Sequence, residues 1–186
     1  MFKGTSASAG IGIGKAVIVE EAELVITRNE VADAEGEIQR FKGALEKTIA
    51  ATQKMADDLA SRVGEKEAEI MQGHMMLLSD PMLTGEIENS VRNDKVNSEF
   101  AIENVCNMYA DMFASMGDEL MQQRATDMRD IKVRMQRTLM GLESVDVSLL
   151  PKGSILVAKD LTPSMTAGIN PENVSGIVTE LGGKTS

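Results

Sequence analysis

Apolar and small residues recur at alternating steps of three and four along residues 31–59. This is the heptad-type spacing of a helix that buries one face against other helices. The stripe consists of Val31, Ala34, Ile38, Phe41, Leu45, Thr48, Thr52, Met55 and Leu59. Because it persists over four repeats, it predicts a long helix in an antiparallel hairpin or coiled coil, and the rest of the fold must accommodate that helix.

Four further helices are predicted after Gly64, which ends the first one. They cover about 65–79, 82–94, 97–120 and 122–141, and the end signals are Asp80-Pro81 and Gly141. The two longer helices have apolar stripes of their own at helical spacing. These stripes are Ile102, Val105, Tyr109, Met112 and Met116 in one helix, and Met128, Ile131, Met135, Thr138 and Leu142 in the other.

Short strand-like segments flank the helical region. Near the start, Ile11, Ile13 and residues 16–19 are separated by glycines that suit a turn between short strands. Near the end, residues 155–158 and 174–179 are typical of buried strands. The predicted fold class is therefore α+β, an antiparallel helical bundle inserted into a small β-rich subdomain. The predicted boundaries are 1–29 for the N-terminal strands, 30–144 for the helical subdomain and 145–186 for the remainder of the β-rich subdomain.

Charge and composition argue against several classes of function. A formal net charge of −10 disfavours nucleic-acid binding, which normally requires a basic face, and is compatible with a basic protein partner. No apolar run approaches the roughly 20 residues that span a bilayer, so we expect no membrane association. The single cysteine, Cys106, has no partner for an internal disulfide, and the start lacks a signal-peptide core. Both features indicate a cytoplasmic protein.

Three features resemble functional motifs without meeting their requirements. Residues 183–185 (Gly-Lys-Thr) lack the upstream glycine of a P-loop, because Val178 stands there. The segment from Gly10 to Lys15 lacks the third glycine of a dinucleotide-binding fingerprint, because Lys15 stands at the position where that glycine is required. His74, the only histidine, lies on a largely apolar helix face, which favours a hydrogen-bonded packing role over a phosphoacceptor or a metal ligand. No metal site is predicted in the chain.

Three segments together resemble one family. They are GHMMLLSD at 73–80, RATDMRDI at 124–131, and DLTPSMT at 160–166 with GGKTS at 182–186. They correspond, in this order, to a Gly-His helix motif, an Arg-Ala-x-Asp-x-Arg-Asp-Ile motif and a swivelling phosphohistidine subdomain. On these segments the chain resembles Enzyme I of the bacterial sugar phosphotransferase system, the phosphoenolpyruvate–protein phosphotransferases, over essentially its whole length.

The resemblance implies an enzyme that passes a phosphoryl group from phosphoenolpyruvate, through an active-site histidine, to the carrier protein HPr. In the family the loop is Gly-Gly-x-Thr-Ser-His, so this chain is expected to stop one residue before the acceptor and to be inactive alone. The acceptor pocket would consist of Thr166, Gly182, Gly183, Thr185 and Ser186. Thr166 would hydrogen-bond the imidazole and select its tautomer. The alternative, which is compatible with that role, is that Thr162 and Thr166 cap the turn and the short helix that starts at Pro163.

The resemblance also locates the cofactor and the second subunit. Phosphoenolpyruvate, Mg²⁺ and the partner of a full-length homodimer are implied to bind a barrel domain outside these residues. We therefore expect no cofactor in this chain itself.

The helical subdomain is implied to dock HPr. From the residues alone, the apolar patch near the helix break consists of Met76, Leu77 and Leu83, rimmed by Glu65, Glu69 and Asp80. Methionine suits a surface that must repack on binding and release. By the resemblance, the groove is completed by Phe113, Met121 and Arg124. The alternative for Leu77 and Phe113 is a place in the bundle core.

Two other interpretations stay open. Dikinases and phosphoenolpyruvate synthases share the swivelling subdomain, but they place an ATP-grasp domain before it, whereas here a helical bundle interrupts a strand-rich start. The second alternative is a purely helical interaction module that binds a partner and performs no chemistry.

Overall fold

A computed structural model of the chain describes residues 4–21 and 23–182. The chain divides into two compact units. The helical unit is Glu23–Ser144, and the sheet unit combines Met1–Ala22 with Val145–Ser186. The predicted α+β fold class is confirmed, because a helical bundle lies in sequence between the strands of a small sheet.

Within the described residues, the helical unit contains five α-helices. They are α1 (Ala34–Arg62), α2 (Glu65–Leu78), α3 (Pro81–Asp94), α4 (Ser98–Ser115) and α5 (Glu119–Met140). The predicted helices are therefore confirmed, except that α4 ends at Ser115 rather than near 120. The chain turns there because Gly117 adopts a positive φ of 78° and Asp118 caps the start of α5.

Aspartate caps fix the starts of three of these helices. The Asp33 carboxylate accepts a hydrogen bond from the Gly36 amide at 2.9 Å, and Asp118 accepts one from the Met121 amide at the same distance. Asp80 accepts from the Met82 amide at 2.8 Å, immediately before Pro81. Each cap satisfies an amide that has no partner inside its own helix.

The core of the helical unit is one cluster of buried apolar side chains. The α1 stripe contributes Ile38 and Phe41, and α4 and α5 contribute Ile102 and Ile131; each of these four side chains is 0% exposed. Cys106 belongs to the same cluster, and burial raises the pKa of its thiol to about 12. It therefore packs as a small hydrophobic residue.

The predicted stripe of α1 also includes two buried threonines. Thr48 is 2% and Thr52 0% exposed. Their hydroxyls donate to the carbonyl oxygens four residues earlier, Thr48 to Ala44 at 2.9 Å and Thr52 to Thr48 at 2.7 Å. Because the helix itself satisfies these hydroxyls, the seam tolerates polar residues without an unpaired buried group.

The sheet unit is built on three parallel strands within the described residues. They are β1 (Lys15–Val19), β2 (Ser154–Ala158) and β3 (Val174–Thr179), in the order β1-β2-β3. A 3₁₀ turn (Val147–Leu149) and a short helix α6 (Pro163–Gly168) complete the unit. Its small core consists of Val19, Val147, Leu150, Leu156 and Ile169.

The prediction of two short strands before residue 20 is wrong in part. Among residues 4–20, which the structure describes, only β1 forms, and Ile11 and Ile13 are 92% and 85% exposed. Gly12 and Gly14 permit a close approach of two backbone segments rather than a turn between strands, whereas a Cβ at Gly10 would meet nothing within 4 Å. A Cβ placed at Gly14 would collide with the carbonyl oxygen of Gly153. This segment therefore passes against the backbone that leads into β2.

We expect Ile102→Ala to destabilise the helical unit by about 2–5 kcal/mol, because it opens a cavity in a fully packed site. Urea unfolding followed by far-UV circular dichroism measures this change. The matched control on the same helix is Met108→Ala, whose side chain is 54% exposed and whose loss we expect to cost no more than about 0.5 kcal/mol. Equal effects of the two substitutions would contradict the packing described for α4.

Candidate functional site

The sheet unit brings two connections together at the carboxyl ends of its strands. Ala158 ends β2 opposite Thr179 of β3. The pairing continues beyond both strands, because the Glu180 amide donates to the Ala158 carbonyl at 3.1 Å and the Leu181 amide to that of Lys159 at 2.9 Å. The carboxyl edge of a parallel sheet is where such folds place their sites. The chain after β2 and the chain after β3 therefore share one edge.

Two threonines shape the connection after β2. The Thr162 hydroxyl accepts from the Met165 amide at 3.3 Å and so caps α6. The Thr166 hydroxyl donates to the Thr162 carbonyl at 3.0 Å, and its side chain is exposed. Because the Thr166 proton is engaged within the helix, its oxygen is left as an acceptor toward solvent. Thr162 therefore has the capping role of the alternative interpretation, whereas the Thr166 hydroxyl oxygen can still accept a hydrogen bond from the solvent side.

Gly182 stands at the end of the described part of the second connection. It has a positive φ of 101°, a conformation that favours glycine. The Thr179 hydroxyl donates to the Leu181 carbonyl at 2.7 Å and tightens the turn just before it. Gly183, Thr185 and Ser186, the other predicted pocket residues, lie outside the described residues.

On the helical unit, Glu65, Glu69 and Met76 lie along one outer face of α2. Steps of four and seven residues place them in one row on a helix. Glu65 and Glu69 are exposed and line an open groove between α1 and α2, and Met76 is 63% exposed. Leu77 is half-buried and packs against the bundle core, as its alternative assignment anticipates.

The structure corrects the placement of Leu83. Its side chain is 2% exposed and belongs to the bundle core, so it is not part of an exposed patch. The reason is helical spacing, because Leu83 shares one buried face of α3 with Ile87 and Val91. Its neighbour Met82 is 68% exposed instead. The steps of four from Leu83 to Val91 were the sequence signal that could have identified Met82 as the surface residue.

The remaining predicted docking residues lie on α4, on α5 and at the start of α3. Phe113 is half-buried and its ring centroid lies 6.3 Å from that of Tyr109. Burial, with added repulsion from Glu86 and Asp80, raises the pKa of Tyr109. Met121 and Arg124 are also half-buried. Asp80 serves chiefly as the cap of α3.

Two of the sequence motifs meet where α2 packs against α5. His74 is 0% exposed; its Nε2 lies 3.2 Å from Asp127 Oδ1 and its Nδ1 lies 3.8 Å from Asp130 Oδ2. Arg124 Nη1 lies 3.6 Å from Asp127 Oδ2. A Cβ placed at Gly73 would lie only 2.6 Å from Arg124 Nη1. The prediction of a packing role for His74 did not include its contact with Asp127, although His74 and Asp127 belong to two of the quoted motifs.

Neither a metal site nor a membrane span is found in the described part of the chain. No group of three or more His, Cys, Asp or Glu side chains there is arranged to hold a metal ion. None of the described helices is both long enough and apolar enough to cross a bilayer.

Comparison with known proteins gives two family matches. Residues 3–124 match the family described as PEP-utilising enzyme, N-terminal, and residues 150–186 match the PEP-utilising enzyme, mobile domain. The phosphoenolpyruvate-protein phosphotransferases of Listeria monocytogenes and Bacillus subtilis are 40% and 39% identical to the chain over 185 residues. Each alignment covers 100% of this chain and 32% of the relative, so the chain spans about a third of the length of these curated relatives.

Solved structures are similar as well. An Enzyme I protein determined by NMR has 37% identity and a TM-score of 0.89, with 100% of this chain and 76% of that chain covered. The N-terminal domain of Enzyme 1 - Nitrogen has 25% identity and a TM-score of 0.68, with coverage of 98% and 75%.

We expect the imidazole of His74 to resist diethyl pyrocarbonate in the folded chain, because the reagent must reach a ring nitrogen and this side chain is 0% exposed. As the only histidine, His74 gives one mass-spectrometric product to follow. The urea-unfolded chain is the control and is expected to react fully. Equal rates in the folded and unfolded chains would show that His74 is accessible, and its assignment as a buried residue would be wrong.

Proposed function

The chain belongs to the PEP-utilising enzymes, and from that membership we propose that it forms the N-terminal part of a phosphoenolpyruvate–protein phosphotransferase, Enzyme I of the bacterial sugar phosphotransferase system. The full-length enzyme takes a phosphoryl group from phosphoenolpyruvate onto a histidine and passes it to HPr in the cytoplasm. The similarity to an Enzyme I structure over the whole chain supports this proposal most strongly.

Each unit has a separate task in this proposal. Residues 30–144 dock HPr, and residues 1–29 with 145–186 belong to the phosphohistidine subdomain. Phosphoenolpyruvate, Mg²⁺ and the second subunit bind elsewhere in the full-length homodimer, and Mg²⁺ would there neutralise charge on the phosphoryl group.

The sheet unit supports the phosphohistidine role through the edge shared by its two connections. An imidazole placed beside Thr166 would donate an N–H to the free lone pairs of the hydroxyl, since the hydroxyl proton is committed to the Thr162 carbonyl. This bond fixes which ring nitrogen holds hydrogen, and the other nitrogen is then left as the nucleophile. The positive φ of Gly182 lets the second connection turn at this edge. We assign Gly183, Thr185 and Ser186 to the same pocket.

The helical unit supports docking through the outer face of α2 and the start of α5. Met76 supplies an exposed apolar anchor, and Glu65 and Glu69 supply negative charge along the same face. Arg124 reaches α2 at Gly73, one turn before Met76. Leu77, Phe113 and Met121 add half-buried apolar surface, while Asp80 fixes the turn between α2 and α3.

The dikinase alternative is weaker. Those enzymes would share the mobile domain, but the match over residues 3–124 includes most of the helical unit, and both solved structures described above are Enzyme I proteins. A purely helical interaction module would account for docking, but it would not explain why residues 150–186 match the mobile domain.

Replacing Met76 by aspartate is expected to weaken HPr binding by about 1–3 kcal/mol, because a charge replaces an apolar anchor at the centre of the interface. A chemical-shift titration of the labelled chain with HPr measures this loss. Met140→Asp is the control, since Met140 is also partly exposed but ends α5, about 24 Å along the helix from Arg124. Shifts confined to residues outside 62–90 and 110–126 would refute the docking assignment.

Removing the charge of Glu65 is expected to change the rate at which HPr associates rather than the lifetime of the complex. Glu65→Gln should lower the association rate and flatten its dependence on salt, because an exposed rim charge steers encounter more than it holds the complex. Stopped-flow kinetics at several ionic strengths separate the two rates. A faster dissociation with an unchanged association rate would instead place Glu65 inside the contact.

A further inference from the structure

Arg124 lies against bare backbone at the centre of α2. A Cβ at Gly73 would lie 2.6 Å from Arg124 Nη1, closer than real Cβ contacts permit. Glycine inside a helix destabilises it relative to alanine, because it loses more conformational freedom on folding. In α2 this less stable residue stands at the position against which the Arg124 guanidinium of α5 lies.

A single carboxylate joins this guanidinium to a buried imidazole. Asp127 Oδ2 lies 3.6 Å from Arg124 Nη1, one turn away on the same helix. Asp127 Oδ1 lies 3.2 Å from His74 Nε2, so His74 can donate to it. Of the two oxygens of Asp127, one faces the surface cation and the other faces the interior.

His74 is held in turn by its own surroundings. It is 0% exposed, it follows Gly73 directly, and its Nδ1 is 3.8 Å from Asp130 Oδ2. Asp130 also attracts Arg134, whose pKa is lowered by burial and partly restored by that carboxylate. At that distance Nδ1 forms no hydrogen bond, so the ring is held by its complete burial and by the contact of Nε2 with Asp127. A buried ring held in this way orients the carboxylate that it contacts.

We propose that His74 and Asp127 are positioning residues that hold the Arg124 guanidinium over Gly73. The side chain of Arg124 is 29% exposed, so the oriented cation is presented at the surface of the helical unit. There it meets an anionic group of the docked phosphocarrier, which a planar guanidinium binds best when it is oriented in advance. The inference rests on the docking role proposed above and extends it to two residues that do not contact the partner.

The competing explanation is that His74 and Asp127 only stabilise the packing of α2 on α5. Gly73→Ala separates the two explanations, because it changes no charge and leaves the His74 and Asp127 side chains in place. Alanine improves the intrinsic helix propensity of α2 and displaces only the guanidinium. Gly43→Ala is the matched control, since a Cβ at Gly43, also within a helix, meets nothing within 4 Å.

The experiment uses the 186-residue chain in five forms besides the parent: Gly73→Ala, His74→Gln, His74→Leu, Asp127→Asn and the control Gly43→Ala. Side-chain ¹⁵N NMR of the arginines measures how restricted the Arg124 guanidinium is, without any partner. A titration with HPr measures affinity, and thermal unfolding measures stability. Gln can still donate from a position near Nε2, so it tests for rescue, whereas Leu removes the donor.

We expect a restricted Arg124 guanidinium in the parent, in Gly43→Ala and in His74→Gln, and a mobile one in the other three. HPr affinity is expected to fall about tenfold in those three, the loss of one charge-assisted contact. For Gly73→Ala this loss is expected without any decrease in Tm. If His74→Leu does not fold, Gly73→Ala and Asp127→Asn still decide the question.

An Arg124 guanidinium that is equally mobile in the parent and in Gly73→Ala and Asp127→Asn would overturn the positioning role. So would HPr affinities that fall only in step with Tm. A restricted guanidinium that responds to the variants, in a parent chain that HPr does not bind, would leave the positioning intact and refute the docking proposal instead.

Discussion

Burial of one apolar seam is the constraint on which the helical unit depends. Helices of 14–29 residues gain most of their stability from packing rather than from their own hydrogen bonds. Here Phe41, Ile102 and Ile131 from three helices are wholly buried in a single cluster. Because that cluster fixes the positions of α1, α4 and α5, it also fixes the polar residues at their edges. The geometry of the contact between α2 and α5 therefore depends on the core.

The elements that follow from spacing were predictable from the sequence. The α1 stripe is buried at Ile38 and Leu59 as the heptad pattern requires, and β2 and β3 lie where short apolar runs indicated them. Of the two, only β2 is buried as predicted, since Ile177 and Val178 of β3 are about half exposed. The resemblance to Enzyme I, stated from three short motifs, is confirmed by similarity over the whole chain to solved Enzyme I domains. Local periodicity and ordered motifs were sufficient for both results.

The features that could not be predicted from the sequence are mostly those set by tertiary contacts. Ile11 and Ile13 have the composition of strand residues, yet within the described part of the chain they lie outside the strands and are exposed. Leu83 is the exception, because its steps of four to Ile87 and Val91 were visible in the sequence and place it in the core. His74 and Asp127 are separated by 53 residues, and nothing local to either indicates that one carboxylate joins the imidazole to Arg124.

The docking face proposed above would combine two kinds of side chain that act differently on binding. Exposed thioethers such as Met76 and Met82 adapt their shape to a partner, but they lose rotamer freedom when they do so. If Asp127 holds the Arg124 guanidinium as proposed, that group is oriented before the partner arrives, so less conformational freedom is lost when it binds. A phosphocarrier must recognise its donor and then leave it. In the proposed complex the oriented charge would provide the recognition, and the repacking apolar surface would keep the complex short-lived.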